Sequence, residues 1–211
     1  LVTVSAAVSA VLKSKGFSKP AFVAGHSLGE YSALVYSGVL SVSDAVIAVR
    51  ARGQFMQQAV PVGQGGMVAI LGLAQEKIAE ACIEAESEGA VVMANQNSPD
   101  QIVISGQTKA VEKAAALCKE KGAKRCIPLP VSAPFHSPLM APAADKLRGA
   151  LATYTFSPAQ IPVIANVTAQ PVTDPAQIQE LLIKQLVSPV IWVDSVRFMI
   201  AQGVTTFIEI G

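Results

Sequence analysis

Ala21-Phe22-Val23-Ala24-Gly25-His26-Ser27-Leu28-Gly29-Glu30-Tyr31-Ser32-Ala33-Leu34-Val35 runs from a short apolar stretch, through Gly25-His26-Ser27-Leu28-Gly29, into a helical pattern. This is the setting of a serine on a sharp strand-to-helix turn, where the residues two before and two after it lack side chains so that the backbone can bend without Cβ clashes. An ordinary tight turn shares the bare spacing, but the strand before it and the helix after it make Ser27 the candidate nucleophile. The turn also leaves the Leu28 amide and the positive end of the next helix facing the reacting oxygen, where they can stabilise an oxyanion.

The chain around this turn has 211 residues, is 51% hydrophobic and carries a net charge of +1. That composition fits a soluble globular protein with a sizeable core and points to neither nucleic acid nor membrane. The longest apolar stretch, residues 65 to 74, is about half of what a bilayer crossing needs. Leu1, Val4, Val8, Val11 and Leu12 fall on one helical face and predict an opening core helix rather than a signal segment. Cys82, Cys118 and Cys126 are odd in number and lack short metal-ligand spacing, which predicts small buried hydrophobes, a reducing cytoplasmic compartment and no metal site. Without an initiator Met, and with a strand-like Phe207-Ile208-Glu209-Ile210-Gly211 at its end, the sequence reads as a fragment of a longer protein lacking both termini.

Helix, strand, helix and helix alternate over residues 1 to 60, the pattern of an α/β sheet with covering helices. The opening helix ends near Gly16, the strand is 21 to 24, and Ser41 and Ser43, with Asp44 in the first turn, announce a helix over 43 to 58. Pro61-Val62-Gly63-Gln64-Gly65-Gly66 breaks the pattern. A strand at 67 to 71, an Ile78, Ala81, Cys82, Ala85 stripe and a hairpin of 91 to 95 with 101 to 105 follow. A Val111, Ala114, Ala115, Cys118 stripe and a strand at 124 to 129 complete a βαββαβ order. The predicted fold is therefore α/β: an α/β-hydrolase-like larger subdomain with a parallel sheet (1–62 and 131–211) and an inserted ferredoxin-like smaller subdomain (63–130). Beyond the insert, a helix from Pro138, a strand at 161 to 167, helices at 178 to 186 and 190 to 202 and a last strand are predicted, with Gly203 past a helix end.

A serine nucleophile needs a base, and the chain has two histidines. His26 adjoins Ser27 on the turn, which sends its side chain elsewhere. His136, in Val131-Ser132-Ala133-Pro134-Phe135-His136-Ser137-Pro138, precedes a helix with Ser137 as N-cap and Pro138 at its first position, whose positive end keeps the imidazole neutral. On the helix over 43 to 58 the apolar face runs through Ala45, Val49, Arg52 and Met56, so Arg52 points where a charge should not. Its buried guanidinium needs either a structural ion-pair partner or a substrate carboxylate held bidentately.

Taken together, the serine turn with Glu30-Tyr31-Ser32-Ala33, Arg52-Gly53-Gln54-Phe55-Met56, Pro128-Leu129-Pro130-Val131-Ser132 with Phe135-His136, and Pro189-Val190 with Trp192 resemble the malonyl-CoA:acyl carrier protein transacylases of type II fatty acid synthesis over essentially the whole chain. The resemblance implies catalytic Ser27 and His136, with Arg52 on the malonyl carboxylate. Gln185 falls where the family orients its histidine through a carbonyl, and Phe135 crowds the acyl α-carbon. Leu28 supplies the oxyanion amide, and Met67 and Phe135 line the acyl site as apolar walls. Malonyl-CoA and acyl carrier protein are the implied substrates, with no cofactor and a monomeric, cytoplasmic enzyme. The family also has a Gly-Gln-Gly-Ser segment whose Gln completes the oxyanion hole, absent from this sequence. Of the basic cluster Lys119, Lys121, Lys124 and Arg125, the last two immediately precede the strand leading to His136, and they are the expected carrier-docking residues. Rival readings are a polyketide synthase acyltransferase domain, an α/β-hydrolase esterase, which would usually offer an acidic triad member, and an inactive docking module.

Overall fold

The computed structural model describes residues 1–17 and 19–210. It is α/β, with one mixed and one antiparallel sheet. Helix α1 (Val2–Ser14) ends in the left-handed Gly16 and leads to β1 (Val23–Ala24), the serine turn and α2 (Leu28–Tyr36). Helix α3 (Val42–Gln58) starts one residue earlier than predicted, with Ser41 as its cap and Asp44 in its first turn as expected. Ser41 Oγ accepts from the Asp44 amide at 3.0 Å and donates to the Asp44 carboxylate at 2.7 Å.

The middle of the chain forms β2 (Gly65–Leu71), α4 (Gln75–Ala85), β3 (Val91–Ser98), β4 (Gln101–Gln107), α5 (Thr108–Glu120) and β5 (Arg125–Pro128). Its four strands lie in the order β3-β4-β2-β5, each antiparallel to its neighbours. Alternation along β2 gives the sheet two faces. Val68 and Ile70 pack with Ile78, Cys82, Val111 and Cys118 beneath α4 and α5. Met67 and Ala69 join Ala94 and Val103 on the other face, with Leu71, Leu129, Val131 and Phe135 against them. Cys82 and Cys118 are buried free thiols, held protonated as burial pushes them up to about 12 and about 11.

After Pro130 come α6 (Ala141–Leu151), β6 (Val163–Ile164), β7 (Pro171–Val172), α7 (Pro175–Gln185) and α8 (Trp192–Ala201). The predicted parallel sheet is corrected here: β6 runs parallel to β1 but antiparallel to β7, a strand the sequence reading missed. The strand predicted over 161–167 shrinks to two residues, because the chain reverses directly after it. Ala169 N donates to Ala165 O at 2.9 Å and Ala165 N to Gln170 O at 3.1 Å. Helix α7 starts earlier than predicted, at a Pro175 capped by Asp174, whose carboxylate accepts from the Gln177 amide at 2.8 Å. Val190, predicted as helical, instead pairs with the edge of the small sheet: Val190 N donates to Ala94 O and Gln96 N to Val190 O, both at 2.9 Å.

Two further expectations fail. Leu1, Val4, Val8 and Val11 are exposed, and α1 turns Val2 and Ser5 inward against the large core. Periodicity identifies a stripe on a helix, but not which stripe meets the protein. Residues 205 to 210 form no strand, since none of their backbone groups joins a ladder among the described residues; Gly211, also expected in that strand, lies outside them. Gly203 does take the left-handed conformation expected after α8.

The two glycines of the serine turn differ in their reasons. A Cβ on Gly25 would overlap the backbone of Gly29, whereas a Cβ on Gly29 meets nothing within 4 Å. Gly25→Ala is therefore expected to destabilise the fold by about 2 to 3 kcal/mol. Gly29→Ala, inside α2, should be neutral or slightly stabilising. Urea midpoints at unchanged m-value test the pair, and equal losses in both variants would refute the steric account.

Candidate active site

Ser27 sits between β1 and α2 at φ 53 and ψ −105, outside the regions an L-residue prefers. Asn166, just beyond β6, holds it there. Asn166 Oδ1 accepts from Ser27 N at 2.6 Å, and Asn166 Nδ2 donates to Gly25 O at 2.8 Å, bracing the turn from both sides. Leu28 opens α2, at a position where helical amides have no intrahelical acceptor, so its N–H is available to an oxyanion.

His136 Nε2 lies 2.8 Å from Ser27 Oγ. Its Nδ1 is 2.8 Å from the main-chain oxygen of Gln185, at the end of α7. A carbonyl can only accept, so Nδ1 carries the proton and Nε2 offers its lone pair to the serine hydroxyl. The imidazole is 4% exposed, and its backbone is also left-handed, at φ 57. Burial, seconded by the charge of Arg52, pulls its pKa down to about 3, so the free ring is neutral. Ser137 takes the N-cap position with Pro138 first, as expected, but of a short 3-10 turn over Pro138–Met140 that precedes α6, and its Oγ donates to Pro134 O at 2.6 Å rather than accepting from an amide. Desolvation is the largest cause of the neutral His136, with the charge of Arg52 second.

Arg52, on the inner face of α3, is 6% exposed. Its Nη2 donates to Ser27 Oγ at 3.0 Å and to Gln185 Oε1 at 2.9 Å, and its Nε is buried with no partner among the described residues. No carboxylate lies within ion-pair distance of it among the described residues. The guanidinium thus reaches Ser27 Oγ while no carboxylate among the described residues compensates its charge by direct contact.

Phe135 lies where the large core meets the apolar cluster of Met67, Ala69, Ala94 and Val103. Met67 and Leu71 share that face of β2, and the register sets Arg125 opposite Leu71, four residues from Met67. Lys124 packs over Gly72. Lys121 is engaged elsewhere, with Glu84 at 2.8 Å and Glu80 at 3.3 Å. His26 points away from the nucleophile, bonding Asn97 Oδ1 at 2.8 Å and meeting Trp192 edge-on.

Glu30 and Asn166 escaped the sequence reading. Glu30 carried a usable signal, since it shares a face of α2 with Leu34 as Arg52 shares one of α3 with Met56; it is 2% exposed. Asn166 carried none, being brought to the turn by the chain reversal after β6. Among the described residues, no group of three or more His, Cys, Asp or Glu could hold a metal, and no helix is long and apolar enough to cross a membrane.

Residues 1–211 match the family model described as acyl transferase domain. The malonyl CoA-acyl carrier protein transacylase of Bacillus subtilis is 54% identical over 212 residues, spanning all of this chain and 67% of its own length. The Escherichia coli K12 transacylase is 51% identical, with 68% of its length covered. The crystal structure of an acyl carrier protein S-malonyltransferase from Vibrio cholerae superposes with a TM-score of 0.98 at 53% identity, covering 100% of this chain and 69% of that one. A malonyl-transacylase solved in complex with its type II PKS acyl-carrier protein superposes at 0.94 and 45% identity, covering 96% and 66%. With its serine, histidine and arginine converging on one oxygen, the chain belongs to the acyl transferase family and, within it, to the malonyl CoA-acyl carrier protein transacylases.

Proposed function

We propose that this chain transfers a malonyl group from CoA to the phosphopantetheine thiol of acyl carrier protein by a ping-pong route through a Ser27 ester. The supporting observation is the meeting of His136 Nε2, at 2.8 Å, and Arg52 Nη2, at 3.0 Å, on Ser27 Oγ. His136 takes the hydroxyl proton as Oγ attacks the thioester carbonyl, and the Leu28 amide faces the oxyanion. Collapse expels the CoA sulfur, which leaves as a thiol with the proton from His136. The carrier thiol then repeats the steps in reverse, and free malonyl-carrier thioester leaves. Arg52 binds the malonyl carboxylate bidentately. That carboxylate offsets the arginine charge, which after burial is the second cause of the lowered His136 pKa, so the correct acyl group makes the base more basic. The carbonyl orientation of His136 and the inward Arg52 favour this reading over an esterase.

The strand order β3-β4-β2-β5 supports a ferredoxin-like subdomain over 63–130, inserted into a hydrolase-like one over 1–62 and 131–211. The apolar face from Phe135 through Met67 to Leu71, ending at Arg125, supports a pantetheine track about 14 Å long from Met67 to Leu71 whose outer end offers positive charge to an acidic carrier protein. The enzyme acts as a cytoplasmic monomer without metal or cofactor in this reading.

Incubation with malonyl-CoA should give a malonyl adduct on Ser27 in intact-mass and peptide spectra, and Ser27→Ala should give none while folding normally; adduct on the alanine variant would remove the nucleophile assignment. Arg52→Ala should slow malonyl transfer by the loss of about 2 to 4 kcal/mol, on the order of 30- to 1000-fold, and acetyl transfer far less. Equal slowing of both acyl groups would make Arg52 structural. Reversing Lys124 and Arg125 to Glu should slow transfer to carrier protein in a salt-sensitive way, while acylation by malonyl-CoA changes much less. Wild-type transfer at low salt by that double variant would place docking elsewhere.

A further inference from the structure

The proposed chemistry leaves the buried carboxyl of Glu30 unused. Glu30, in the first turn of α2, puts a carboxyl behind the nucleophile, where its Oε2 accepts from Gln185 Nε2 at 2.8 Å and from Asn166 N at 3.2 Å. Both donors belong to residues that hold the reacting groups. Gln185 O fixes His136 Nδ1, Gln185 Oε1 holds Arg52 Nη2, and Asn166 Oδ1 holds Ser27 N. Gln185 Nε2 also reaches Ser27 O at 3.1 Å.

We propose that Glu30 is the positioning residue of the site, its carboxyl oxygen anchoring Gln185 and Asn166 and through them setting Ser27, His136 and Arg52 in register. This rests on the acyl-transfer reading above. The amide of Gln185 can take only one orientation: Arg52 donates and Ser27 O accepts, so Oε1 must face the arginine and Nε2 the carboxyl. The interposed amide also keeps Glu30 from pairing with Arg52 directly. A direct fork between them would consume the donors that a substrate carboxylate needs; one amide away, Glu30 braces Arg52 without competing for it. Burial raises Glu30 to about 7, and the bonds from Gln185 and Asn166, with the charge of Arg52, pull the other way. The charged or titratable groups facing it are Arg52 and Tyr31. What the network requires is an acceptor at a fixed place, not a full charge.

Three variants separate place from charge. Glu30→Gln keeps an acceptor oxygen at the same reach without charge, Glu30→Asp keeps the charge but withdraws the oxygen by one methylene, and Glu30→Ala removes both. Each is measured for Ser27 acylation by malonyl-CoA and acetyl-CoA, with thermal melts to confirm folding and with the ring signals of 15N-histidine. His26 serves as the internal control, being outside the network. The Asp and Ala variants should lose on the order of 100-fold in kcat for both acyl groups, with smaller changes in KM, as a displaced catalytic geometry does. Their His136 Nδ1–H signal should shift or broaden while that of His26 stays, and Glu30→Gln should restore both rate and signal. If the Asp variant outperforms the Gln variant, or if folded Asp and Ala variants keep wild-type rates and an unmoved His136 signal, the proposal is overturned. The comparison needs only the Gln and Asp variants, should the Ala variant fail to fold. Failure of wild-type protein to acylate Ser27 would instead defeat the acyl-transfer reading, and the histidine signals would still report on Glu30.

Discussion

The left-handed backbone of Ser27 is the constraint on which the rest of the site depends. A serine at φ 53 is held in a sparsely populated conformation, which costs free energy and persists only where the surroundings over-determine it. Here they do so from three directions: no Cβ on Gly25 to meet Gly29, Asn166 clasping Gly25 O and Ser27 N, and Gln185 reaching Ser27 O. His136, whose Nε2 meets Ser27 Oγ, is itself left-handed at φ 57. Both residues thus sit in backbone the protein would otherwise avoid, and their side chains meet at 2.8 Å.

Burial gives this arrangement its electrostatic character. In a water-excluded site Arg52 loses hydration, and it lacks a carboxylate in direct contact among the described residues. Its positive charge, with burial, pushes His136 toward the neutral form and helps offset the burial that would protonate Glu30. An arginine satisfied in advance by a fork to Glu30 would be more stable and less useful, because a substrate carboxylate would have to displace it. The protein instead satisfies Arg52 partly, with one amide oxygen and one hydroxyl, and leaves its Nε without a partner among the described residues; in the proposed reaction the malonyl carboxylate would take up the free donors.

Local signals carried the parts of this site that local physics determines. The glycine spacing marked Ser27, and the Ser41 to Asp44 cap with a 3.6-residue period turned Arg52 inward; the structure has both features. The same period applied to α2 would have exposed Glu30 as a second misplaced charge beside Leu34. Asn166 and the carbonyl of Gln185 reach the site from 139 and 49 residues away, and no spacing announces such bonds. Gln185 was located only through resemblance. Where local pattern misled, the missing information was again nonlocal: α1 has an apolar stripe that it turns outward, and Val190, helical by pattern, is taken by the edge of a distant strand.

That last contact joins the two sheets' surroundings mechanically as well as in sequence. Val190 pairs with β3 just before α8 begins, and on the same side Asn97 of β3 bonds His26 of the serine turn, which rests on Trp192 of α8. The small sheet is therefore tied at its β3 edge to the turn that carries Ser27, and at the start of β2, where Gly65 leaves room for Pro134, to the loop that carries His136. The proposed track on that sheet, from Arg125 past Leu71 to Met67, would keep a fixed length to the serine whichever acyl carrier lay in it. A long flexible arm ending in a thioester needs this constancy, because its own freedom must be lost in the track before its last atoms can meet Ser27 in a reactive geometry.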